Sequence, residues 1–295
     1  MSLTLSQQLG LFTNQYPDNH LLNTSKIKIT ASFIIPIFNS ADSLGPCVDS
    51  ISKQTRIDRI NEVILVNDGS TDHSSDIIES LKRQHPELRI VSLNNVDRKY
   101  AAFSRNRGIE RSTGDLVCFI DSDIILPPDY LSKHIDQQAY LKGITFSLRS
   151  NIHTVDDVAF PVNNLSSDFR YKLLLPYSLD LKDLPFQFSD SHSLAELCLT
   201  CAVTYWRKDL VQVKGCPENF VGWGFNDTAM AAKVIALGRP IAMVRGVEVC
   251  HLDHAPRSGR VTTKWSEFSK NKKRYINMLQ LPTTQTFEYY IQELS

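Results

Sequence analysis

The amino-acid sequence predicts an α/β fold built on a mostly parallel central sheet flanked by helices. Short, near-continuous apolar runs alternate with segments in which apolar residues recur every three or four positions. This alternation is typical of buried parallel strands joined by amphipathic helices through right-handed crossovers. Polar residues close several of the apolar runs. Because ligands of open α/β sheets bind at the carboxyl ends of the strands, these residues are the first candidates for a functional site.

The first half of the chain reads as four strands and three helices. Apolar runs predict strands over residues 30–39, 62–68, 88–94 and 114–123. Helical spacing predicts helices over residues 43–54, 74–84 and 101–111. In the first helix, Leu44, Val48 and Ile51 are spaced four and three residues apart and therefore share one face. Asp72 and its neighbours form a turn that can cap the second helix.

The second half is less regular. Residues 147–193 combine scattered aspartates, aromatics and prolines, which predicts loops and short helices. Strands are predicted over 197–210 and 241–254, with a helix between them that opens in 222–238 and ends at Gly238. The last 35 residues are more basic and polar, and we expect one final helix there.

Composition excludes several classes of protein. The chain has 295 residues, 42% hydrophobic and 22% charged, as in ordinary globular proteins. Its 32 basic and 32 acidic residues cancel, so we expect no nucleic-acid partner, which would need a basic field. Apolar runs are too short for a membrane span, and residues 1–20 lack the pattern of a secretion signal. We therefore expect a cytoplasmic protein.

Six cysteines are present, at positions 47, 118, 198, 201, 216 and 250. Cys198 and Cys201 form a C-x-x-C pair, which suggests either zinc or redox chemistry or simply two buried thiols. The surrounding segment is apolar and no second such pair follows. Buried small side chains are therefore the favoured interpretation.

The acidic turn Asp121-Ser122-Asp123 is the sharpest chemical signal. It follows a buried strand and precedes a second apolar run, which is unusual for a surface turn. Carboxylates converging in such a turn suit Mg²⁺ or Mn²⁺. Asn39 and Asp68 close two other strands, so three strand ends carry groups suited to one ligand.

Three further residues have two interpretations each. Asp68 precedes a glycine and either makes a turn or accepts from the N–H of a ligand ring. Phe38 is either a core residue or a surface on which a base stacks. Arg105 lies either on a solvated helix face or beside a pyrophosphate.

The order and spacing of these segments resemble the GT-A glycosyltransferases of family 2, which use nucleotide sugars. The segments are residues 34–39 (IIPIFN), 50–55 (SISKQT), 66–72 (VNDGSTD), 104–109 (SRNRGI) and 114–123 (GDLVCFIDSD). Residues 215–228 (GCPENFVGWGFNDT) are similar to the galactosyltransferase-type C-terminal region. That region occurs in β-1,4-galactosyltransferases, polypeptide N-acetylgalactosaminyltransferases and chondroitin-type polymerases.

The resemblance implies a GT-A fold, Rossmann-like, with an acceptor-side C-terminal subdomain. It implies four parts: an arm (1–29), a nucleotide-sugar-binding half (30–130), an acceptor and catalytic half (131–255), and a basic loop and helix (256–295). Asp227 would be the general base. Asp123 and His251 would bind Mn²⁺ or Mg²⁺, with Asp121 acting through water and His254 as the fallback. The donor would contact Pro36, Phe38, Asn39, Asp68, Arg105, Asp121, Ser122, Trp223, Gly224 and Asn226, and Trp223 and Gly224 would line the acceptor as well.

One position departs from the family. Asn226 stands where a glutamate usually contacts the donor sugar. The departure suggests a donor other than plain galactose. Asp227 also has a second interpretation, as a first-turn residue that stabilises the helix behind it, and the two roles can coexist.

The expected activity is metal-dependent, inverting transfer from a UDP-sugar (galactose, N-acetylgalactosamine, glucose or a relative) to a hydroxyl acceptor. The acceptor would be a glycan, a peptide, a lipid-linked sugar or a small molecule. The alternatives are a catalytically silent nucleotide-sugar-binding protein and a sugar-nucleotide hydrolase or nucleotidyltransferase. The basic stretch 257–274 is a solvated surface, a closing loop, or a contact for an acidic acceptor or a peripheral membrane surface.

Overall fold

A computed structural model describes residues 28–162, 195–253 and 261–279. Within these ranges seven strands form one sheet in the order β3-β2-β1-β4-β8-β6-β9. The strands of this sheet are β1 (Ala31–Ile37), β2 (Ile60–Asn67), β3 (Ile90–Asn94), β4 (Leu116–Ile120), β6 (Ile144–Phe146), β8 (Ala202–Trp206) and β9 (Ile241–Met243). A smaller sheet has the order β5-β10-β7, with β5 (Ile124–Ile125), β7 (Arg149–Ile152) and β10 (Val249–Leu252).

Helices cover both faces of the large sheet. They are α1 (Ala41–Ser52), α2 (Ser74–Gln84), α3 (Tyr100–Arg111), α4 (Tyr130–Leu141), α5 (Arg207–Gln212), α6 (Asn226–Ile235) and α7 (Val261–Leu279), with short 3₁₀ turns at Ile57–Arg59 and Val155–Asp157. Along β1, Phe33 and Ile35 pack into one core, whereas Ile34 packs into the other. Both faces are therefore buried, which explains the near-continuous apolar run.

The predicted α/β class and the mostly parallel sheet are confirmed. Strands β1, β2, β3 and β4 pair in parallel, while β8 pairs antiparallel with both β4 and β6. Because β8 belongs to the second half of the chain, the two predicted halves share one sheet. Helix α2 has the predicted bounds, and the other predicted elements of the first half shift by a few residues.

Three predictions for the second half are wrong. Residues 147–193 were expected to form loops and short helices, but Arg149–Ile152 is strand β7, which pairs with β10. The single strand expected over 241–254 is two strands in different sheets, because the chain turns at Gly246, whose φ is +70°. The strand expected over 197–210 is shorter, because helix α5 begins at Arg207.

Helix α4 and strand β6 went unpredicted. Two core-facing positions of α4 are polar, so its apolar stripe is interrupted. His134 and Gln138 are fully buried and both reach the Thr145 hydroxyl, at 2.9 and 3.1 Å. This network fastens α4 to β6 through hydrogen bonds that an apolar pattern does not reveal.

The six cysteines are all buried and form no disulfide. The favoured interpretation of Cys198 and Cys201 as buried thiols is thus confirmed. The predicted arm lies mostly outside the described residues, as do residues 163–194, His254, and residues 254–260 and 280–295 of the basic tail.

Candidate active site

The acidic turn lies at the carboxyl end of β4, where Ile120 is followed by Asp121. A hydrogen bond from the Ile124 N–H to the Asp121 carbonyl, 3.1 Å, closes the turn. The Asp123 carbonyl accepts from the Leu252 N–H at 2.9 Å, which brings β10 against the turn. The two carboxylates therefore belong to a rigid element fixed by backbone contacts on both sides.

Pairing of β10 with β5 places His251 next to this turn. His251 is in register with Ile124, one residue beyond Asp123. Its Nε2 lies 3.6 Å from Oδ1 of the buried Asp123 carboxylate. The structure thus brings together two residues that are far apart in the sequence and that the resemblance assigns to a metal.

Asp123 and His251 fit a divalent cation as a two-residue ligand set. Two neighbouring ligands on an ion with bonds of about 2.1 Å lie about 3 Å apart, close to the observed separation. A carboxylate with an imidazole suits Mn²⁺ better than Mg²⁺. No group of three or more His, Cys, Asp or Glu side chains among the described residues forms a complete metal site. These two residues alone would therefore not complete the coordination of such an ion.

Asp121 occupies a different electrostatic position. Its Oδ1 accepts from Nη2 of Arg105 at 3.3 Å. Loss of hydration raises the pKa of the Asp121 carboxyl; the charges of Asp123 and Asp227 also raise it, while Arg105 and His251 oppose the shift. Three carboxylates, the Arg105 guanidinium and the His251 imidazole therefore act on one another across this site, and added positive charge would favour the ionised form of Asp121.

Arg105 joins the acidic turn to helix α6. The side chain is buried, with Nη1 donating to Asn226 Oδ1 at 2.8 Å and Nη2 donating to Asp121. Its Nε is buried and makes no hydrogen bond among the described residues. A solvated helix face is therefore the wrong interpretation of Arg105, which instead presents a buried cation at the strand ends.

Asp227 stands in the first turn of α6. Its Oδ1 accepts from the adjacent Thr228 N–H at 2.9 Å, a first-turn group without a partner inside the helix, although Phe225 is the N-cap residue. Asp227 remains partly exposed, whereas its neighbour Asn226 is buried against Arg105. The bond to Thr228 therefore uses one carboxylate oxygen and leaves the side chain partly exposed.

The predicted base-binding residues lie together but contact the chain itself. The buried Asp68 carboxylate accepts from the N–H groups of Lys99 and Tyr100 at 2.8 and 2.7 Å and from Asn95 Nδ2 at 2.6 Å. The Arg98 guanidinium lies 3.8 Å from the centre of the Phe38 ring. Asp68 therefore fixes the start of α3, and Arg98 covers the ring face on which a base would stack.

Two other predicted donor contacts hold the strand-end loops. Asn39, at φ +50°, accepts from the Thr71 N–H at 2.8 Å through its side-chain oxygen. Ser122 is buried and donates to the Ser40 hydroxyl at 2.8 Å. Pro36 lies within β1 and is only partly buried.

The predicted Trp-Gly segment forms a loop, residues 221–225, that leads directly into α6; we call it the Trp-Gly loop. The Trp223 side chain is 46% exposed. Its ring packs on Phe268 and Trp265 of α7, with ring centres 5.3 and 6.0 Å apart. Gly224 and Phe225 both have positive φ, which turns the chain into the helix.

Sequence reasoning missed residues on both sides of the site. Arg98 follows the end of β3, so its position at a strand end was a usable signal. Burial raises the pKa of Glu196 to about 8, with Lys272 opposing and Asp227 reinforcing the shift. Asn271 and Glu267 of α7 contact the Trp-Gly loop, and no local pattern indicates those contacts.

Two segments of the chain match known sequence families. Residues 32–157 match the family described as Glycosyl transferase family 2, and residues 186–255 match the family described as N-terminal domain of galactosyltransferase. The uncharacterized glycosyltransferase YibD of Escherichia coli is 39% identical over 92 residues, which is 31% of this chain and 25% of that protein. The chain thus matches about a quarter of that relative's length.

Solved structures share the fold. The mannosyltransferase PcManGT from Pyrobaculum calidifontis, in complex with GDP-Man and Mn²⁺, has a TM-score of 0.57 at 20% identity, over 78% of this chain and 58% of that one. GalNAc-T7 with UDP, GalNAc and Mn²⁺ has a TM-score of 0.62 at 15% identity, over 84% of this chain and 48% of that one.

In the described part of this chain, none of the helices has the length and apolarity needed to span a bilayer.

Proposed function

We propose that the chain is a GT-A glycosyltransferase that moves one sugar from a UDP-sugar to a hydroxyl acceptor with inversion. The proposal is supported by the match of one segment to glycosyl transferase family 2, the match of a second segment to the galactosyltransferase family, and the shared fold. One observation carries the proposal. Asp121, Asp123, His251 and Arg105 meet at the strand ends, where helix α6 also presents Asp227. This arrangement offers a cation site, a buried guanidinium and a base on one edge of the sheet.

The chain's own residues would act as follows. Asp227 takes the proton of the acceptor hydroxyl while the hydroxyl oxygen forms a bond to the anomeric carbon of the donor sugar. The bond from that carbon to the diphosphate breaks on the opposite face, so the configuration inverts. Arg105 stabilises the negative charge that grows on the departing diphosphate. Asp123 and His251 would hold Mn²⁺, or Mg²⁺, which supplies further positive charge there.

Donor selection is the finer part of the proposal. Galactose, N-acetylgalactosamine, glucose or a relative is the expected sugar, and Asn226 faces Arg105 where the family has glutamate. An amide cannot form an ion pair with that guanidinium. We therefore expect the donor preference to differ from that of family members that keep the glutamate.

The first experiment is a thermal-shift screen of UDP, GDP and a panel of UDP-sugars, each with and without MnCl₂. Stabilisation by UDP that requires Mn²⁺ is the expected result. Stabilisation by GDP alone, or by nucleotide equally well without metal, would contradict the donor or the metal assignment. Slow hydrolysis of one UDP-sugar, accelerated into transfer when acceptor is added, completes the test.

Asp227→Asn tests the base. The variant is expected to lose transfer by about 10²–10⁴-fold in kcat while UDP affinity stays unchanged, because general-base catalysis has that magnitude. Asp76→Asn is the matched control, since Asp76 is also a first-turn aspartate, on α2, and is exposed. Full activity in Asp227→Asn would overturn the base assignment. Silence of the unmodified protein toward every donor, with nucleotide binding intact, would favour the catalytically silent alternative.

A further inference from the structure

Helix α7 grips the Trp-Gly loop through one buried amide. Asn271 is fully buried, and its Nδ2 lies 3.1, 3.1 and 3.0 Å from the carbonyl oxygens of Val221, Trp223 and Gly224. Three carbonyls of one short loop therefore point at a single side chain. The three residues lie outside any helix or strand, so the amide supplies hydrogen-bond donors that the loop backbone does not receive from a regular element.

A second contact fixes the orientation of this amide. Nη1 of Arg274 donates to Asn271 Oδ1 at 2.7 Å. A guanidinium is only a donor, so the amide oxygen must face Arg274 and the NH₂ group must face the loop. An aspartate at position 271 would keep the contact with Arg274 and turn an oxygen toward three carbonyl oxygens.

Helix α7 also accepts a hydrogen bond from the backbone of the loop. Glu267 Oε2 accepts from the Trp223 N–H at 3.0 Å. The two glycines of the loop fit the same surface: both have positive φ, and a Cβ on Gly224 would lie 2.7 Å from the Phe268 ring. A Cβ on Gly222 would collide with the Glu267 side chain. The surfaces of the Trp-Gly loop and α7 are thus complementary at both glycines.

We propose that Asn271 and Glu267 are positioning residues that hold the Trp-Gly loop so that Trp223 presents its indole to the acceptor. The inference rests on the proposed function. Trp223 packs on Phe268 and Trp265 and keeps nearly half of its surface exposed, four residues before Asp227. The direction of the indole follows from the backbone that Asn271 and Glu267 bind.

The helix that carries Asp227 has an attachment separate from these contacts. Helix α6, which carries Asp227, is tied to Arg105 through Asn226, on the donor side of the site. Releasing the loop should therefore move Trp223 more than the base. The expected signature is a rise in the acceptor KM that is much larger than any change in kcat or in the rate of donor hydrolysis without acceptor.

The kinetic test compares Asn271→Asp, Glu267→Ala and Glu267→Gln, with Ser269→Ala on the exposed face of α7 as the control. The acceptor KM should rise about tenfold in the first two, since each loses hydrogen bonds that stabilise the loop. Glu267→Gln keeps an acceptor oxygen for the Trp223 N–H and should restore most of the activity. An unchanged acceptor KM, or donor hydrolysis that falls in parallel with transfer, would overturn the inference.

A fluorescence test separates this inference from the proposed function. In a Trp206→Phe, Trp265→Phe background, Trp223 is the single tryptophan of the chain. Asn271→Asp and Glu267→Ala should shift its emission to the red and increase quenching by acrylamide, whereas Glu267→Gln should not. Unchanged emission overturns the positioning role. Shifted emission in a protein that transfers nothing upholds the role of the contacts in holding the loop and overturns the proposed activity.

Discussion

The two sides of the site are held in different ways. On the side proposed to bind the donor, residues 31–125, backbone hydrogen bonds hold the strands and the acidic turn, and side chains such as Asp68 and Asn39 hold the loops at the strand ends. On the acceptor side, residues 195–252 together with α7, the Trp-Gly loop depends on side chains that arrive from 44 to 50 residues farther along the chain. The donor side is therefore built into the sheet, while the acceptor side is assembled by tertiary contacts.

This difference has a functional meaning. Backbone ladders tolerate changes of side chain, so a donor site built on them keeps its shape while its surface residues vary. A loop held by Asn271 and Glu267 changes shape when either residue changes. We infer that acceptor preference can be altered through α7 without disturbing the donor side.

Asp123→Asn should break the donor side and give the largest effect. Loss of the buried carboxylate beside His251 is expected to reduce transfer by about 10³-fold or more, because charge stabilisation by a metal is worth several kcal/mol. Isothermal titration of UDP with and without Mn²⁺ should show that the metal no longer strengthens binding. Asp115→Asn is the control: Asp115 precedes the opposite end of β4 and binds Thr30. Metal-dependent UDP binding that survives in Asp123→Asn would contradict the ligand assignment.

Arg105→Lys should weaken the connection between the two sides. A lysine ammonium cannot reach Asn226 and Asp121 in the same planar geometry, so kcat/KM for the donor is expected to fall about 10- to 100-fold. Steady-state kinetics with varied donor, at saturating acceptor, measures the effect. Arg107→Lys serves as the control on the same helix, because Arg107 instead binds the Asn94 carbonyl and Asn95. Equal losses in the two variants would mean that Arg105 has no special role at the site.

His134→Gln probes the scaffold outside both sides and should have the smallest effect. Burial lowers the pKa of His134 to about 3. In the unfolded chain the pKa of His134 is about 6.5. Below that pH the unfolded chain binds a proton at His134 and the folded protein does not, so the free energy of unfolding falls as the pH drops. At pH 4.5 this contribution is about 2–3 kcal/mol. Urea unfolding at pH 7 and pH 4.5 should therefore show a smaller acid loss in the variant, and an equal loss would contradict the assignment.

The sequence predicted the donor side better than the acceptor side. Local apolar patterns and turn residues were enough to predict its strands, the turn at Asp121 and Asp123, and helix α2. The proximity of His251 came only from the resemblance, because the pairing of β10 with β5 brings together segments far apart in the chain.

The remaining differences have physical causes. Helix α4 was not predicted because two residues of its buried face, His134 and Gln138, are polar. Asp68 binds backbone N–H groups 31 and 32 residues away, which a turn signal cannot indicate. Asn271 contacts a loop that lies 47 to 50 residues earlier in the chain. A single asparagine in a helix does not indicate which distant residues it binds. Long-range side-chain contacts are thus what the sequence left unpredicted.

The guanidinium of Arg105 has a consequence for protein engineering. Since it joins a helix of the first family segment to the first residue of α6 in the second, these segments are not interchangeable modules. A chimera that takes residues 32–157 from one enzyme and the later segment from another would need a matching partner for this cation. Exchange points chosen from domain boundaries alone would leave a buried charge facing the wrong side chain.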